Sequence, residues 1–395
     1  MEWKEVRLGD VCTRVCSGGT PKSTNLSYYG GEIPWLNTKE IDFNRIYSTE
    51  KTITDSGLNN SSAKWIVPNT VTVAMYGATA GKSCIVKVPM TTNQACCNLT
   101  INDEVADYEF VYYTLKNDYT TLASLANGGA QQNLNAQIIK DYVLKMPSLA
   151  DQRRIASILS SLDRKIELNN KINADLEEMA QAIFMNWFVD FEPFKDGKFV
   201  DSELGMIPEG WKVGTLEDIA EITMGQSPAG NSLNENGEGM IFYQGSSDFG
   251  FRFPSIRVFT TEPKRLAVAN SVLFSVRAPV GDINVAKEEC CIGRGVASIK
   301  SKYGHDSYLF YAMKSLHKLF DSFDGEGTVF GSINKKTLSA IQILLPSDGI
   351  VEQFNNVASS FDDRIRSLSD ENSRLSLLRD TLLPRLMSGE LEVPE

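Results

Sequence analysis

Two segments with helical spacing of apolar residues decide the fold of this chain. The first reads IASILSSLDRKIELNNKINADLEEMAQAIFMNW and covers residues 155–187. Its apolar positions are Ile155, Leu159, Leu162, Ile166, Leu176, Ala180, Ile183 and Trp187. Because these residues recur at intervals of three or four, they form one stripe along one face of a long helix. The segment therefore predicts a helix that packs against a partner.

The second segment repeats the spacing near the end of the chain, at Phe361, Ile365, Leu368, Leu375, Leu382 and Leu386. Asparagine interrupts both stripes, at Asn173 and at the equivalent Asn372. A buried amide in such a seam costs stability but penalises wrong registers. We expect the two helices to pair with each other as an antiparallel coiled coil, although the asparagines could instead face solvent on a rotated seam. The predicted pairing residues are Leu162, Ile166, Asn173, Leu176, Phe361, Ile365, Asn372 and Leu375.

Charged residues accompany both stripes, and we interpret them as ordinary solvated faces of the helices. They are Asp163, Arg164, Glu167, Glu177, Glu178, Asp362, Asp363, Arg364 and Arg366.

The helices belong to a larger duplication, since residues 1–190 recur in degenerate form and in the same order at 209–388. Leu134-Asn135 returns as Ile333-Asn334, and Tyr113 returns as Tyr311. A period near 200 residues is too long for a solenoid and indicates duplication of a whole domain. The predicted fold is mixed α+β, with two similar globular domains that are each followed by a long helix. The predicted limits are domain one 1–147, helix 148–190, connector 191–208, domain two 209–346, helix 347–388 and tail 389–395.

Within the domains, apolar runs bounded by turn residues predict strands at 71–75 and 272–276. Short helices are predicted at 110–116 and 307–319.

Composition limits the class of protein. The chain has 395 residues, of which 42% are hydrophobic and 23% charged, an ordinary globular balance. No basic and then apolar leader opens the sequence, and no run of 18 apolar residues occurs, so we expect a soluble, cytoplasmic protein. The seven cysteines form no CxxC pair and only two histidines are present, so we expect reduced thiols and no metal site.

The net charge of −11 argues against nucleic acid, but the average hides a local asymmetry. Residues 56–102 and 263–281 contain no acid and carry several basic residues. Such a zone in both copies predicts a phosphate-facing surface, although a polar domain could also lack acids by chance. The candidate phosphate contacts are Lys64, Lys87, Lys264, Arg265, Lys300 and Lys302.

The stretch Gly77-Ala78-Thr79-Ala80-Gly81-Lys82-Ser83 resembles a nucleotide-binding phosphate loop but does not match it. That loop needs four residues between its glycines, and only three are present here. The second copy has no Lys-Ser at this point. We therefore predict no nucleotide site.

In order along the chain, the sequence shows Trp3-Lys4 with Leu8-Gly9-Asp10, the glycine stretch at 77–82, Asn93-Gln94, Gln132-Asn133-Leu134, and Pro147 before Asp151-Gln152. The second copy adds Ile207-Pro208-Glu209-Gly210-Trp211, Pro346, Glu352-Gln353 and the ending 382–391. This order resembles the specificity subunit of a Type I restriction-modification system, over nearly the whole chain.

The resemblance implies a non-catalytic subunit that reads double-stranded DNA. Each globular domain would be a target recognition domain for one half of a bipartite, asymmetric target, and the helices would be the spacer. Methyltransferase subunits, expected as two copies, would bind the helices and carry S-adenosylmethionine, while restriction subunits would add ATP and Mg²⁺. This chain would bind none of these cofactors. In agreement, the sequence holds no Asn-Pro-Pro-Tyr or Asp-Pro-Pro-Tyr methylation motif.

Base recognition requires paired donors and acceptors, such as Arg for guanine and Asn or Gln for adenine. The candidates in the first copy are Tyr76, Thr79, Lys82, Asn93, Gln94, Gln131, Gln132 and Asn133. Those in the second copy are Gln244, Ser246, Arg277, Arg294, Thr328 and Phe330. Asn93-Gln94 becomes Gly293-Arg294, and this difference predicts two unlike half-sites. The alternative is a tandem-domain adaptor that holds proteins without DNA specificity.

Overall fold

The structure is a computed structural model that describes residues 2–126, 133–323 and 331–393. The chain divides into two compact units. Unit 1 comprises Met1–Leu168 with Glu371–Glu395, and unit 2 comprises Asn169–Asp370. Both units contain strands and helices, so the predicted mixed fold is confirmed.

Unit 1 contains short strands and the first helices of the chain. The strands are β1 (Lys4–Arg7), β2 (Cys12–Ser17), β3 (Tyr29–Leu36), β4 (Arg45–Ile46), β5 (Thr52–Ile53), β6 (Trp65–Ile66), β7 (Val71–Ala74), β8 (Ser83–Val86), β9 (Met90–Thr92), β10 (Cys96–Ile101) and β11 (Val143–Met146). The helices that begin in unit 1 are α1 (Asp55–Asn59), α2 (Tyr108–Asn117), α3 (Tyr119–Ser124), α4 (Ala136–Asp141) and α5 (Leu149–Phe188).

Unit 2 repeats this plan. The strands are β12 (Phe199–Ser202), β13 (Gly205–Pro208), β14 (Lys212–Thr215), β15 (Ala220–Met224), β16 (Leu233–Asn234), β17 (Met240–Tyr243), β18 (Val258–Thr260), β19 (Leu266–Ala267), β20 (Val272–Ser275), β21 (Ile283–Val285), β22 (Cys290–Ile292), β23 (Val296–Ser301) and β24 (Gln342–Leu345). The helices that begin in unit 2 are α6 (Leu216–Ile219), α7 (Asp306–Ser315), α8 (His317–Asp321), α9 (Lys335–Ser339) and α10 (Asp348–Met387).

The strand pairing shows the duplication directly. In unit 1 the orders are β1-β11, β2-β10-β7-β8-β4 and β5-β3-β9-β6. In unit 2 they are β14-β24, β15-β23-β20-β21, β16-β18-β17-β22-β19 and the hairpin β12-β13. The central order β2-β10-β7-β8 therefore returns as β15-β23-β20-β21. All residues of β7 and of β20 are buried, as their apolar runs predict.

Repeated asparagines begin equivalent helices. The side chain of Asn135 accepts a hydrogen bond from the backbone N–H of Ile138 (2.9 Å), and Asn334 does the same for Thr337 (3.0 Å). Asparagine is favoured at this position because its side-chain oxygen satisfies an N–H that has no partner inside the helix. Asn135 and its equivalent Asn334 therefore have the same structural role in the two copies.

The long helices contribute to the cores of both units. Leu159 of α5 and Leu386 of α10 belong to one apolar core of unit 1, together with Leu8 and Phe110. In unit 2, the ring of Phe354 of α10 lies 5.3 Å from that of Phe188 of α5. The two heptad segments therefore form long helices, as predicted, and each helix supplies residues to both units.

Candidate nucleic-acid interface

The loop after β7 holds the first group of candidate residues. Gly77 and Gly81 have φ angles of +78° and +86°, which glycine adopts without strain. Tyr76 is exposed, whereas the Thr79 hydroxyl donates to the carbonyl oxygen of Thr38 (3.0 Å). Lys82 forms an ion pair with Asp42, with 2.6 Å between Nζ and Oδ1. The glycines thus shape a tight turn on which the side chain of Tyr76 is exposed.

An equivalent turn follows β20 in unit 2. Gly281 has a φ angle of +99°, and a Cβ atom there would lie 2.4 Å from Cβ of Phe320. Arg277, exposed on this turn, occupies the position of Tyr76. Arg277 pairs with Ser332 through an antiparallel β-bridge, as Tyr76 pairs with Asn133. Both units therefore bring this turn beside the chain that precedes α4 or α9. Four other candidates, Gln131, Gln132, Thr328 and Phe330, lie outside the described residues.

A second turn, before β10, holds Asn93 and Gln94. The side chain of Asn93 accepts a hydrogen bond from the backbone N–H of Ala95 (3.0 Å) and donates to Oδ1 of Asn37 (3.3 Å). These bonds hold the turn. Gln94 is exposed, and its Oε1 accepts a hydrogen bond from the hydroxyl of Thr20. Thr20 was not predicted as a site residue, because nothing in its local sequence indicates that it lies beside Gln94.

The corresponding turn of unit 2 holds Arg294. Its backbone N–H donates to the Ser227 hydroxyl (3.3 Å), which in turn donates to Oε1 of Gln244 (3.0 Å). Ser227 takes the place that Thr20 has in unit 1. Ser246 begins a 3-10 turn, Ser246–Asp248, close to Gln244 in the chain. Among the residues that the structure describes, the guanidinium groups of Arg277 and Arg294 have no hydrogen-bond or ion-pair partner, so both remain available to a ligand.

The candidate phosphate contacts differ in their surroundings. Lys64, Lys264 and Arg265 are exposed, and Lys64 and Arg265 directly precede the equivalent strands β6 and β19. Lys300 donates to Asp306 (2.6 Å), and Lys302 donates to the carbonyl oxygen of Glu217.

Lys87 donates to Oδ1 of Asn69 (2.7 Å) and lies 5.4 Å from the ring centre of Tyr108. Burial lowers its pKa. Lys87, Lys300 and Lys302 would have to exchange these contacts for phosphate, whereas Lys64 and Lys264 would not.

The interpretation of the helix charges as solvated faces is wrong at two positions. Asp163 and Glu177 of α5 are buried, with 7% and 8% of their surfaces exposed. Asp163 accepts a hydrogen bond from Nη1 of Arg379 (2.8 Å), and Glu177 accepts one from Nε of Arg252 (3.1 Å). A buried charge is tolerated because it is paired. The spacing in α5 could not reveal these partners, which are distant in sequence.

No helix in residues 2–126, 133–323 and 331–393 is long and apolar enough to cross a membrane. Over the same ranges, no cluster of three or more His, Cys, Asp or Glu side chains could hold a metal ion. The cysteines are unpaired, and burial raises the pKa of Cys97 and of Cys290 to about 12. These thiols are therefore protonated at neutral pH.

Comparison with known proteins identifies the family. The family described as "Type I restriction modification DNA specificity domain" matches residues 1–178 and again residues 208–375. The chain belongs to this family and contains the domain twice.

Relatives of full length show the same relationship. The type I restriction enzyme MjaIX specificity subunit of Methanocaldococcus jannaschii is 27% identical, and the match covers 100% of this chain and 94% of the relative. The type I restriction enzyme HindI specificity subunit of Haemophilus influenzae is 25% identical over 72% of this chain and 77% of the relative. The crystal structure of a Type I restriction-modification S subunit from M. genitalium has the same fold, with a TM-score of 0.63, 17% identity and coverage of 100% and 97% of the two chains.

Proposed function

We propose that this chain is the DNA sequence-recognition subunit of a Type I restriction-modification complex, in which each globular domain reads one half of a bipartite, asymmetric target. The observation that carries this proposal is a pair of equivalent turns with different exposed side chains. Gln94 in the first domain corresponds to Arg294 in the second, and Tyr76 corresponds to Arg277. Since Gln suits adenine and Arg suits guanine, unlike side chains on like scaffolds favour unlike half-sites.

The candidate contacts divide into base readers and phosphate contacts. Tyr76, Gln94, Arg277 and Arg294 are exposed at the turns and are the leading base readers. Lys64 and Arg265, which occupy equivalent exposed positions, are the leading phosphate contacts, together with the neighbouring Lys264. Phosphate contacts fix the position of a protein on DNA but carry no sequence information. This division accounts for an acidic protein that binds DNA through small basic zones.

We further propose that α5 and α10 form the spacer, as an antiparallel coiled coil between domains that end near 147 and 346. Two contacts within the units support this pairing. Arg379 of α10 binds Asp163 of α5 in unit 1, and Phe354 of α10 contacts Phe188 of α5 in unit 2. Asp163, early in α5, pairs with a residue late in α10, whereas Phe188, late in α5, contacts a residue early in α10. This order is the one expected for antiparallel helices. A helix of this length spans about 60 Å, enough to bridge half-sites about 34 to 36 Å apart.

In this proposal the chain performs no catalysis. Two methyltransferase subunits bind its helical region and supply S-adenosylmethionine chemistry, and restriction subunits that use ATP and Mg²⁺ join where the system has them. The complex acts in the cytoplasm of a prokaryotic cell. The chain itself contributes the choice of DNA sequence and the distance between its two halves.

The experiment is co-expression with the methyltransferase of the same system, followed by mapping of methylated adenines in the host DNA. The proposal expects one split motif with unlike halves, absent when this chain is omitted. Co-purification without a methylated motif, together with binding that does not weaken as salt rises, would favour the adaptor alternative. The salt dependence of binding distinguishes DNA recognition from the adaptor alternative, because phosphate contacts lose affinity steeply as ionic strength rises.

A further inference from the structure

Each unit contains one deeply buried arginine between its globular domain and a long helix. In unit 1, only 3% of the Arg45 side chain is exposed. Nη1 of Arg45 donates to Oε1 of Glu167 on α5 (2.9 Å). Nη2 donates to Oε1 of Glu109 and to the hydroxyl of Tyr113, both on α2 and both at 3.3 Å. One guanidinium therefore joins the domain to the helix that follows it.

Unit 2 has the same arrangement around Arg252, whose side chain is 2% exposed. Nη1 of Arg252 donates to Oδ1 of Asp362 on α10 (2.8 Å), and Nη2 donates to the hydroxyl of Tyr311 on α7 (2.9 Å). Nε donates to Glu177 of α5 (3.1 Å). The guanidinium also lies 4.0 Å from the ring centre of Phe310. Again the arginine binds a tyrosine of the domain and an acid of the following helix.

Two partners of each arginine, the tyrosine and the aspartate, are equivalent in the duplication. Tyr113 donates to Oδ2 of Asp163 (2.6 Å), and Tyr311 donates to Oδ1 of Asp362 (3.1 Å). The arginines themselves arise in different local structures, since Arg45 lies in strand β4 whereas Arg252 lies outside the named strands. The two units therefore form the same contact of arginine, tyrosine and aspartate, although the arginine comes from a different local structure in each.

Charge is balanced within each cluster. In unit 1 the cations Arg45, Arg164 and Arg379 face Glu109, Asp163 and Glu167. In unit 2 the cations Arg252 and Lys314 face Glu177 and Asp362. Buried ion pairs add little net stability, because desolvation offsets their attraction, but any arrangement that leaves one charge unpaired is costly. A planar guanidinium bound on several sides also tolerates little rotation. Such clusters are suited to fixing the angle between a globular domain and the long helix that follows it.

We propose that Arg45 and Arg252 are positioning residues, each of which fixes the orientation of its recognition domain on the long helix that follows it and so restricts the half-site spacing that the complex accepts. This inference rests on the proposed function. Both arginine side chains are almost fully buried, so neither is exposed to contact DNA itself. Each acts through the domain that it holds.

The test uses the full chain assembled with its methyltransferase subunits and the target found by methylation mapping. Dissociation constants are measured for duplexes with the natural spacing and with one base pair added or removed between the halves. The variants are Arg45→Met and Tyr113→Phe in the first copy and Tyr311→Phe in the second. Tyr142→Phe is the matched control, because the Tyr142 hydroxyl donates to Asp118 (3.0 Å) within the same domain rather than to a long helix.

Tyr113→Phe and Tyr311→Phe should each reduce the preference for the natural spacing by about fivefold, the factor expected for loss of one hydrogen bond. Arg45→Met should reduce it further, and Tyr142→Phe should leave it unchanged. A lower melting temperature with an unchanged spacing preference in all three variants would overturn the inference, since it would leave these residues a stabilising role only. The tyrosine variants keep the test decisive if Arg45→Met does not fold. Failure of the proposed function is a separate result, in which the wild-type complex prefers no duplex at all.

Discussion

The hydroxyl of Tyr113 lies 2.6 Å from a carboxylate oxygen of Asp163, and both residues are buried. The bond joins α2 of the domain to α5. Burial raises the pKa of Tyr113 well above its usual range, so its hydroxyl remains a donor at neutral pH. Asp163 keeps a second partner in Arg379, which limits the effect of losing this donor.

Tyr113→Phe should therefore lower the free energy of unfolding by about 1.5 to 3 kcal/mol, the range for a hydrogen bond to a charged group. Urea unfolding of the purified chain measures the change. Tyr142→Phe, which removes a bond from a partly exposed tyrosine, should cost less. Equal losses in the two variants would contradict the special importance given to the buried cluster.

Substitution of an exposed side chain at one of the equivalent turns should alter recognition of one half-site only. Arg294→Ala should reduce discrimination at one base pair of the second half by about 1 to 3 kcal/mol, because a bidentate contact to guanine is worth that much. Gln94→Ala should act only on the first half. Methylation mapping with each variant measures both effects. A change in both halves from a single substitution would show that these residues do not read bases locally.

Removal of a phosphate contact should weaken binding equally at all sequences. Lys64→Ala and Lys264→Ala should each reduce the slope of log affinity against log salt by about one, as expected when one phosphate contact is lost. Lys195→Ala is the matched control, since Lys195 is exposed, pairs with Glu192 and lies in the segment after α5 that holds no candidate contact. DNA-binding titrations at several salt concentrations measure the slope for each variant. If the slope fell as much for Lys195→Ala, the effect would come from the net charge of the protein and not from contacts between these side chains and phosphates.

The turn glycines should differ in their tolerance of a side chain. Gly281→Ala brings a Cβ to 2.4 Å from Cβ of Phe320, whereas Gly81→Ala places it 3.3 Å from Cβ of Ala123. Both also force a positive φ on alanine, which costs about 1 to 2 kcal/mol. Gly281→Ala should thus lower the melting temperature more than Gly81→Ala. Gly230→Ala, with open space and no positive φ, should change it little.

The sequence predicted the features that depend on neighbours along the chain. Apolar spacing was sufficient to predict α5 and α10, because a helix repeats its own pattern. The duplication predicted equivalent turns in the two domains, and Tyr76 and Arg277 do occupy them. The strand predicted at 71–75 is β7, and the helix predicted at 307–319 is divided into α7 and α8.

Features that depend on distant partners escaped prediction. Arg45 lies 122 residues from Glu167, and Arg252 lies 75 residues from Glu177. No local pattern distinguishes a buried, paired glutamate on a helix from a solvated one. The same limit applies to Thr20 and Ser227, which meet Gln94 and Gln244 only in the folded domain.

The core of unit 1 has a consequence for biosynthesis. Leu383, Leu386 and Met387, near the C-terminus, share that core with Leu8 and Val11, near the N-terminus. A ribosome that has released the first domain has not yet made the residues that complete its interior. Leu8 and Val11 therefore reach their final packing only after residues 383–387 have been synthesised. A chain that stops before Leu383 would leave this core incomplete.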